Sequence, residues 1–269
     1  MKLAISNIAW KSDDYQYYTL LKRYGFSGLE IAPTRFSEYP YDHIKMALKI
    51  KNHLLSDYQL PIISMQSLLF GVKGLALFES ESARNRLLSY LKKAIIYAKA
   101  MKCPVLVFGN PKQRIQHDKL LDNHIAINFF REIGAYAQQH SVYFCIEANP
   151  KVYGTNFINN HKQAKWLVET VSSDGFQMII DTSTMLINQE RPESIIDCLD
   201  YVKHIHISMP YLNAFNEKHH LYTQWLNEFL AIVKSNQYQH YLSIEMTHTD
   251  KTQIEASLSL LQQYIQDRK

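Results

Sequence analysis

Short β-like runs alternate with longer helical patterns along the whole chain, and this alternation constrains the fold more than any other feature. Eight runs have the length and composition of strands, at residues 3–7, 28–31, 61–66, 104–108, 142–146, 177–180, 202–207 and 241–244. Between them, apolar residues recur at three- and four-residue steps, most clearly over residues 80–101, as in a helix with one buried face. Ser12 and Gly25 are predicted to cap the first helix at its two ends. Strict alternation of strand and helix predicts a parallel sheet.

Eight strand–helix units are the number that closes into a barrel. The main alternative is an open, doubly wound sheet, but no Gly-x-Gly-x-x-Gly motif follows the first run, as the dinucleotide-binding form of that sheet would require. The length of 269 residues suits one or two domains, since single α/β barrels commonly reach about 250 residues. We therefore predict an α/β protein made of a single (β/α)8 TIM barrel over residues 1–269.

Composition and charge narrow the range of partners. The chain has 29 Lys+Arg against 25 Asp+Glu, a formal net charge of +4, and these charges are dispersed, unlike the basic face of a duplex-binding protein. This balance favours a small anionic partner, if any. The three cysteines are far apart, which favours a reducing cytoplasm over a disulfide framework. We also expect no leader peptide and no membrane span, because no apolar run approaches about 18 residues.

Four polar side chains stand at the ends of successive predicted strands: Glu147, Asp181, His206 and Glu245. Active sites of barrels lie at the carboxyl ends of the strands, so these side chains are expected to converge. Three buried carboxylates repel one another unless a cation compensates them. Three oxygens and one nitrogen suit one divalent ion, which could be Mn²⁺, Mg²⁺, Co²⁺ or Zn²⁺. The alternative is four unrelated polar residues, each capping its own loop.

Short motifs at the strand ends carry a resemblance to a known family. They are SNIAW at 6–10, GLEIAPT at 28–34, VFGNPKQR at 107–114, EANP at 147–150, DT at 181–182, HIHIS at 204–208 and IE at 244–245. In these motifs, and over essentially its whole length, the chain resembles the xylose isomerase-like sugar phosphate isomerase/epimerase family of TIM barrels. The resemblance implies that a glutamate, an aspartate, a histidine and a second glutamate bind one metal. The matching positions are Glu147, Asp181, His206 and Glu245.

The resemblance also implies a proton-transfer enzyme of carbohydrate metabolism. A metal that holds a sugar carbonyl and the neighbouring hydroxyl stabilises the enediolate formed when the carbon-bound proton leaves. Glu147 and Glu245 then serve as base and acid. Return of the proton to the adjacent carbon gives isomerisation, whereas return to the other face of the same carbon gives epimerisation. The same residues serve both reactions, so the sequence does not choose between them.

Two other functions stay open. Loss of a β-hydroxyl from the same intermediate would make the protein a metal-dependent dehydratase of a cyclic polyol or keto compound. A barrel that kept only the pocket would be a non-catalytic sugar-binding protein. The endonuclease branch of this fold needs extra histidines on the earlier strands, where this chain has Gln66 and Phe108. No nucleic-acid or membrane partner is expected, and a homo-oligomer remains open.

Two positions depart from the family pattern. Many relatives have a substrate-binding histidine three residues after the strand-six aspartate, where this chain has Thr184. A carboxylate often follows the strand-seven histidine at the place where Met209 stands. We therefore expect substrate contacts that differ from those of the well-known ketose epimerases.

Several loop cations are candidates for holding a charged substrate. Lys112 and Arg114 follow strand four, and Lys151 follows strand five. They are expected to bind a phosphate or carboxylate, with Arg114 as the better bidentate donor, unless they are simply solvated loop charges.

Other candidates are polar or aromatic. Those that could hold sugar hydroxyls are Asn7, Glu30, Gln66 and Asn149. Those that could wall a sugar ring are Trp10, Tyr153 and Phe157, although packing between loop and helix explains them nearly as well. His204, one layer deeper than His206, is expected to be a hydrogen-bonded core residue, and Cys145 a small buried one.

Overall fold

The computed structural model describes residues 1–11, 14–215 and 220–266. Within these ranges, eight parallel strands are hydrogen-bonded in chain order and the last pairs with the first, so the sheet closes into a barrel. The strands are β1 (Lys2–Ser6), β2 (Gly28–Ile31), β3 (Ile62–Met65), β4 (Val105–Phe108), β5 (Tyr143–Ile146), β6 (Phe176–Asp181), β7 (Val202–Ser208) and β8 (Tyr241–Glu245). The predicted (β/α)8 architecture is confirmed.

Each strand is followed by a helix in the described part of the chain. The helices are α1 (Asp14–Arg23), α2 (Ile44–Tyr58), α3 (Glu81–Met101), α4 (Lys119–Gln139), α5 (His161–Val171), α6 (Thr182–Ile187), α7 (His220–Ser235) and α8 (Lys251–Gln266). Helix α6 has only six residues, and Gln189, with a left-handed φ of 55°, follows it. A 3-10 helix, Pro192–Tyr201, then packs against α5 and α7 and completes this part of the outer layer.

The helix ends follow local sequence signals. Ser80 caps α3 by accepting a hydrogen bond from Ala83 N–H (3.1 Å). Gly25, shortly after α1, adopts the predicted left-handed conformation, with φ 72°. The predicted cap at Ser12 lies outside the described residues. Among the described helices, none combines the length and the apolar character needed to cross a bilayer.

The barrel interior is apolar on one side. Strand side chains alternate, so every second one points inward. A small cluster, separate from the main core between sheet and helices, consists of Val105, Val107, Cys145 and Ile179. These residues come from β4, β5 and β6. Cys145 is thus a small buried residue, as predicted.

The other side of the interior is polar. Glu30 on β2, Ser64 on β3, and His204 and His206 on β7 are all buried. Ser64 Oγ lies 3.3 Å from His204 Nε2 although β3 and β7 are not neighbours, so this contact crosses the barrel. His204 is therefore the hydrogen-bonded core residue that the sequence predicts.

Candidate functional site

The carboxyl ends of β5 to β8 bring four side chains to one point. Asp181 and Glu245 are the last residues of β6 and β8, Glu147 directly follows β5, and His206 lies near the end of β7. One nitrogen or oxygen from each lies within 4.8 Å of the others. Asp181, His206 and Glu245 are buried, and the Glu147 side chain is 12% exposed. We call these four residues the ligand quartet. The structure brings together the whole set that the sequence indicates as metal ligands.

Nδ1 of His206 faces all three carboxylates of the quartet. It lies 3.0 Å from Glu147 Oε1, 3.3 Å from Glu245 Oε2 and 4.0 Å from Asp181 Oδ2. These four atoms are the ones able to share a single ion.

In each carboxylate of the quartet, the other oxygen accepts a hydrogen bond from outside the quartet. These bonds run from Asn149 Nδ2 to Glu147 Oε2 (3.3 Å), from Thr184 N–H to Asp181 Oδ1 (2.6 Å) and from Gln66 Nε2 to Glu245 Oε1 (2.7 Å). Each carboxylate therefore offers one oxygen to the shared point, while its outer oxygen fixes its orientation. Thr184, where the family pattern has a histidine, acts here through its backbone N–H.

The surroundings favour a proton on Glu245, on Asp181 and on His206 when no cation compensates the charges. Burial, together with Glu147 and Asp181, raises the pKa of Glu245 to about 8. Burial and Glu147 also raise the pKa of Asp181. Burial by itself lowers the pKa of His206, but Glu245 and Glu30 outweigh it and hold that pKa well above its ordinary value. A divalent cation that replaces the protons on Glu245, Asp181 and His206 would find three carboxylates and one imidazole as donors, which suits such an ion.

Glu30 lies deeper in the barrel than a substrate-binding residue would. We expected it to hold sugar hydroxyls, but it is fully buried, with Oε2 2.7 Å from His204 Nε2 and 3.0 Å from His206 Nε2. Burial by itself raises the pKa of Glu30, but the two histidines outweigh it and hold that pKa well below its ordinary value. Glu30 is thus an ionised carboxylate beneath the quartet that contacts protein groups.

Arg114 is fully buried instead of lying exposed on its loop. Its Nε donates to Gly109 O (2.8 Å), its Nη1 to Phe157 O (3.0 Å), and its Nη2 to Glu147 O (2.7 Å) and Asn149 Oδ1 (2.6 Å). We expected this guanidinium to bind an anionic group of the substrate, but its hydrogen bonds go to protein acceptors. It joins the loops after β4 and β5 and, through Asn149, supports the outer oxygen of Glu147.

The candidate aromatic residues differ in exposure. Trp10 is buried and stacks on Tyr17 with ring centroids 4.7 Å apart, so it packs its loop against α1. Phe157 is also buried, edge-on to Phe78. Tyr153 is only partly buried, and its hydroxyl lies 3.2 Å from Ser183 Oγ. Of the three, Tyr153 keeps the most surface for a ligand.

The two candidate lysines are exposed on the carboxyl-end face of the barrel. Lys112 lies in the 3-10 helix Pro111–Gln113, after β4. Lys151 begins the 3-10 helix Lys151–Tyr153, after β5, and lines an outer cavity of about 600 Å³ together with Lys119 and Trp166. Asn7, another candidate, has its Oδ1 occupied by Ala32 N–H (2.8 Å).

The structure adds two residues that sequence reasoning did not single out. Ser208 Oγ donates to Asp181 Oδ2 (2.5 Å) and accepts from Ser183 N–H (3.1 Å). Gly109 leaves room for the Glu147 carboxylate, because a Cβ atom there would overlap Glu147 Oε2. Ser208 ends β7 and Gly109 follows β4, so their positions at strand ends were the signal that could have identified them.

Solved sugar epimerases share this fold. The apo 3-keto-D-glucoside 4-epimerase YcjR from E. coli has a TM-score of 0.79 at 16% identity, over 98% of this chain and 99% of that one. The D-psicose 3-epimerase of Clostridium cellulolyticum H10, solved with D-tagatose, has 0.77 at 15% identity over 97% of each chain. The IolI protein, solved with a bound zinc atom, has 0.74 at 15% identity, over 99% of this chain and 96% of that one. A probable 3-DHS dehydratase and an AP endonuclease also have this fold.

Similarity at the level of sequence identifies the family. No curated protein matches the chain. The pattern of the xylose isomerase-like TIM barrel family matches residues 18–264, which is nearly the whole chain. The motifs at the strand ends indicate the same family. The chain belongs to the xylose isomerase-like TIM barrel family.

Proposed function

We propose that the protein is a divalent-metal-dependent isomerase or epimerase that moves a proton on a sugar or sugar phosphate through an enediolate. The observation that carries this proposal is the ligand quartet, with one donor atom from each residue within 4.8 Å of the others. The fold shared with sugar epimerases supports the same chemistry. The residues that hold the single ion, Mn²⁺, Mg²⁺, Co²⁺ or Zn²⁺, are Glu147, Asp181, His206 and Glu245.

Glu147 and Glu245 transfer the proton in this proposal. One carboxylate takes the proton from the carbon beside the carbonyl, and the C–H electron pair forms the double bond of the enediolate while the carbonyl π pair moves to oxygen. The other carboxyl, which starts protonated, returns its proton. Return to the opposite face of the same carbon re-forms the carbonyl and gives the epimer. Return to the neighbouring carbon gives the isomer, with the hydroxyl proton passing to the first oxyanion as the second oxygen becomes the carbonyl. The divalent cation, when bound, supplies the positive charge that stabilises the enediolate. Hydrogen bonds from Asn149 and Gln66 keep the two glutamates in place for this transfer.

Substrate contacts are proposed for the candidates that are exposed or partly exposed on the loops after β4 and β5. The ring of Tyr153 is available to wall a sugar. Lys112 and Lys151 are available for a phosphate. The buried Trp10, Glu30 and Arg114 act through the residues that they contact, and Asn149 through Glu147.

Hydrogen–deuterium exchange tests the proposal. Purified protein loaded with Mn²⁺ or Co²⁺ is incubated in heavy water with ketoses that include D-psicose, D-tagatose and D-fructose, and the products are followed by NMR. We expect deuterium at the carbon next to the carbonyl and net conversion without loss of water. Glu147→Gln and Glu245→Gln should each abolish this exchange, because a carboxamide can neither take up nor supply the proton.

Three other outcomes would contradict parts of the proposal. Loss of water from the substrate would favour a dehydratase of a cyclic polyol or keto compound. A sugar that binds the metal-loaded protein without any exchange would favour a non-catalytic sugar-binding barrel. Full activity of either glutamine variant would remove that glutamate from the mechanism.

The three cysteines indicate the cellular compartment in which the protein works. Cys103, Cys145 and Cys198 are all free and buried. Unpaired thiols are typical of reducing compartments. We therefore propose a cytoplasmic enzyme of carbohydrate metabolism.

A further inference from the structure

Glu30 is a fully buried carboxylate at the centre of a hydrogen-bond network that spans the barrel. Four donors surround it. They are Ser64 Oγ (2.6 Å), His204 Nε2 (2.7 Å) and His206 Nε2 (3.0 Å) at Oε2, and Gln66 Nε2 (3.3 Å) at Oε1. Three donors meet at Oε2 and one at Oε1, so both oxygens of Glu30 already have protein partners without a ligand. Glu30 therefore acts on the neighbouring side chains and not on a ligand.

One neighbour of Glu30 is the histidine of the quartet. An ionised carboxylate only accepts hydrogen bonds, so His206 Nε2 carries the hydrogen that points to Glu30 Oε2. In the neutral imidazole, the lone pair then lies on Nδ1, which faces Glu147 Oε1 at 3.0 Å and Glu245 Oε2 at 3.3 Å. Glu30 thus selects the tautomer and the ring orientation that present Nδ1 to a cation.

A second neighbour, Gln66, extends the network to another quartet residue. Its Nε2 has three acceptors within reach, which are Glu245 Oε1 (2.7 Å), Ser6 Oγ (3.1 Å) and Glu30 Oε1 (3.3 Å). Its Oε1 accepts from Ser67 Oγ (2.7 Å). Two carboxylates on the same side require the amide nitrogen to face them, which fixes the orientation of the amide. Gln66 therefore holds the outer oxygen of Glu245 and leaves Oε2 facing His206.

We propose that Glu30 and Gln66 form one positioning unit, built on β2 and β3, that presents His206 and Glu245 to the cation. The inference rests on the proposed function, because it assigns the unit to the metal site. His206 lies on β7 and Glu245 on β8, and these strands pair with each other. Backbone pairing does not set side-chain rotamers, whereas the hydrogen bonds with Glu30 and Gln66 do. Loss of a residue that orients a metal ligand typically lowers metal affinity 10–100-fold.

Calorimetric titration with Co²⁺, combined with the visible absorption spectrum of the Co²⁺-loaded protein, tests the unit. The variants are Glu30→Gln, which keeps shape but removes the charge, and Gln66→Met, which removes the bridge to Glu245 at similar volume. We expect each to weaken Co²⁺ binding at least tenfold and to change the visible bands, because the ligand geometry changes. Ser243→Ala is the matched control, since Ser243 lies two residues before Glu245 on β8 and its buried hydroxyl has no hydrogen-bond partner.

The outcomes separate this inference from the function on which it rests. Wild-type affinity and an unchanged spectrum in folded Glu30→Gln and Gln66→Met would overturn the positioning unit while leaving the metal site intact. If Glu30→Gln does not fold, Gln66→Met decides alone. A wild-type protein that binds no Co²⁺, Mn²⁺, Mg²⁺ or Zn²⁺ would overturn both the unit and the proposed function. Equal weakening in Ser243→Ala would also overturn the unit, because the effect would then be general to the barrel interior.

Discussion

Gly109 lies so close to Glu147 that a single methyl group on its Cα would overlap Glu147 Oε2. The carboxylate occupies the space that a side chain would take, and its Oε2 also accepts a hydrogen bond from Asn149 Nδ2. The absence of a side chain at Gly109, directly after β4, is therefore a condition for the position of Glu147, directly after β5.

Gly109→Ala should displace the Glu147 carboxylate. We expect kcat/KM for sugar exchange to fall at least about tenfold, because a small misplacement of a reacting group costs that much or more. Stability should fall much less than activity, because the atom that must move is the free end of a flexible side chain. Exchange kinetics and urea unfolding measure the two effects. Gln113→Ala, in the same loop, is the control, and equal losses in both variants would contradict the steric explanation.

Arg114→Met should destabilise the fold by roughly 3 kcal/mol, because it leaves several buried acceptors without a donor. The acceptors include Gly109 O and Asn149 Oδ1. Urea unfolding of the metal-free protein measures this. The matched change Arg131→Met, at an exposed position on α4, should stay within about 0.5 kcal/mol of wild type. A stable Arg114→Met protein with weakened binding of sugar phosphates alone would instead favour a direct substrate contact.

The quartet could be predicted because strand ends are readable in the sequence. Near-continuous apolar runs end at Glu147, Asp181 and Glu245, and the closed barrel brings such ends together. Alternation along β7 likewise placed His204 one layer below His206, where the structure has it.

The burial of Arg114 and Glu30 could not be predicted from the sequence in the same way. Arg114 is buried because the loop after β5 folds over it and supplies Phe157 O, 43 residues away, and no local pattern encodes that contact. Glu30 is next to apolar residues on β2, but its partners come from β3 and β7. A sequence pattern shows which face of a strand a residue occupies, and the side chains that meet it across the barrel depend on register and closure.

Ser208→Ala should weaken divalent metal binding about tenfold. The serine hydroxyl donates to Asp181 Oδ2 (2.5 Å), and removing a group that orients a metal ligand lowers affinity by 10–100-fold in typical cases. Titration with Mn²⁺ measures the change. Ser243→Ala removes a buried hydroxyl that has no hydrogen-bond partner, so affinity should change less than about twofold and stability should hold or rise. Similar affinities in the two variants would show that Ser208 does not orient Asp181.

Stabilisation of the protein by Mn²⁺ should increase from pH 6 to pH 8. In the metal-free fold Glu245 has a pKa of about 8, whereas its ordinary value in the unfolded chain is 4.5. Between these values the folded state holds a proton that the unfolded chain has lost, so the metal-free fold loses stability as pH rises. His206, whose pKa is raised above 6.5, contributes in the same direction at higher pH.

A bound cation needs these groups deprotonated, so metal binding competes with protons less and less as pH rises. We expect the increase in Tm at saturating Mn²⁺ to be larger at pH 8 than at pH 6, as measured by calorimetry in buffers of matched ionic strength. Glu245→Gln is the control, because it removes the titration of Glu245 and should flatten the pH dependence of the metal-free Tm over this range. A wild-type Tm increase that is the same at both pH values would contradict the assignment of these protons to the metal site.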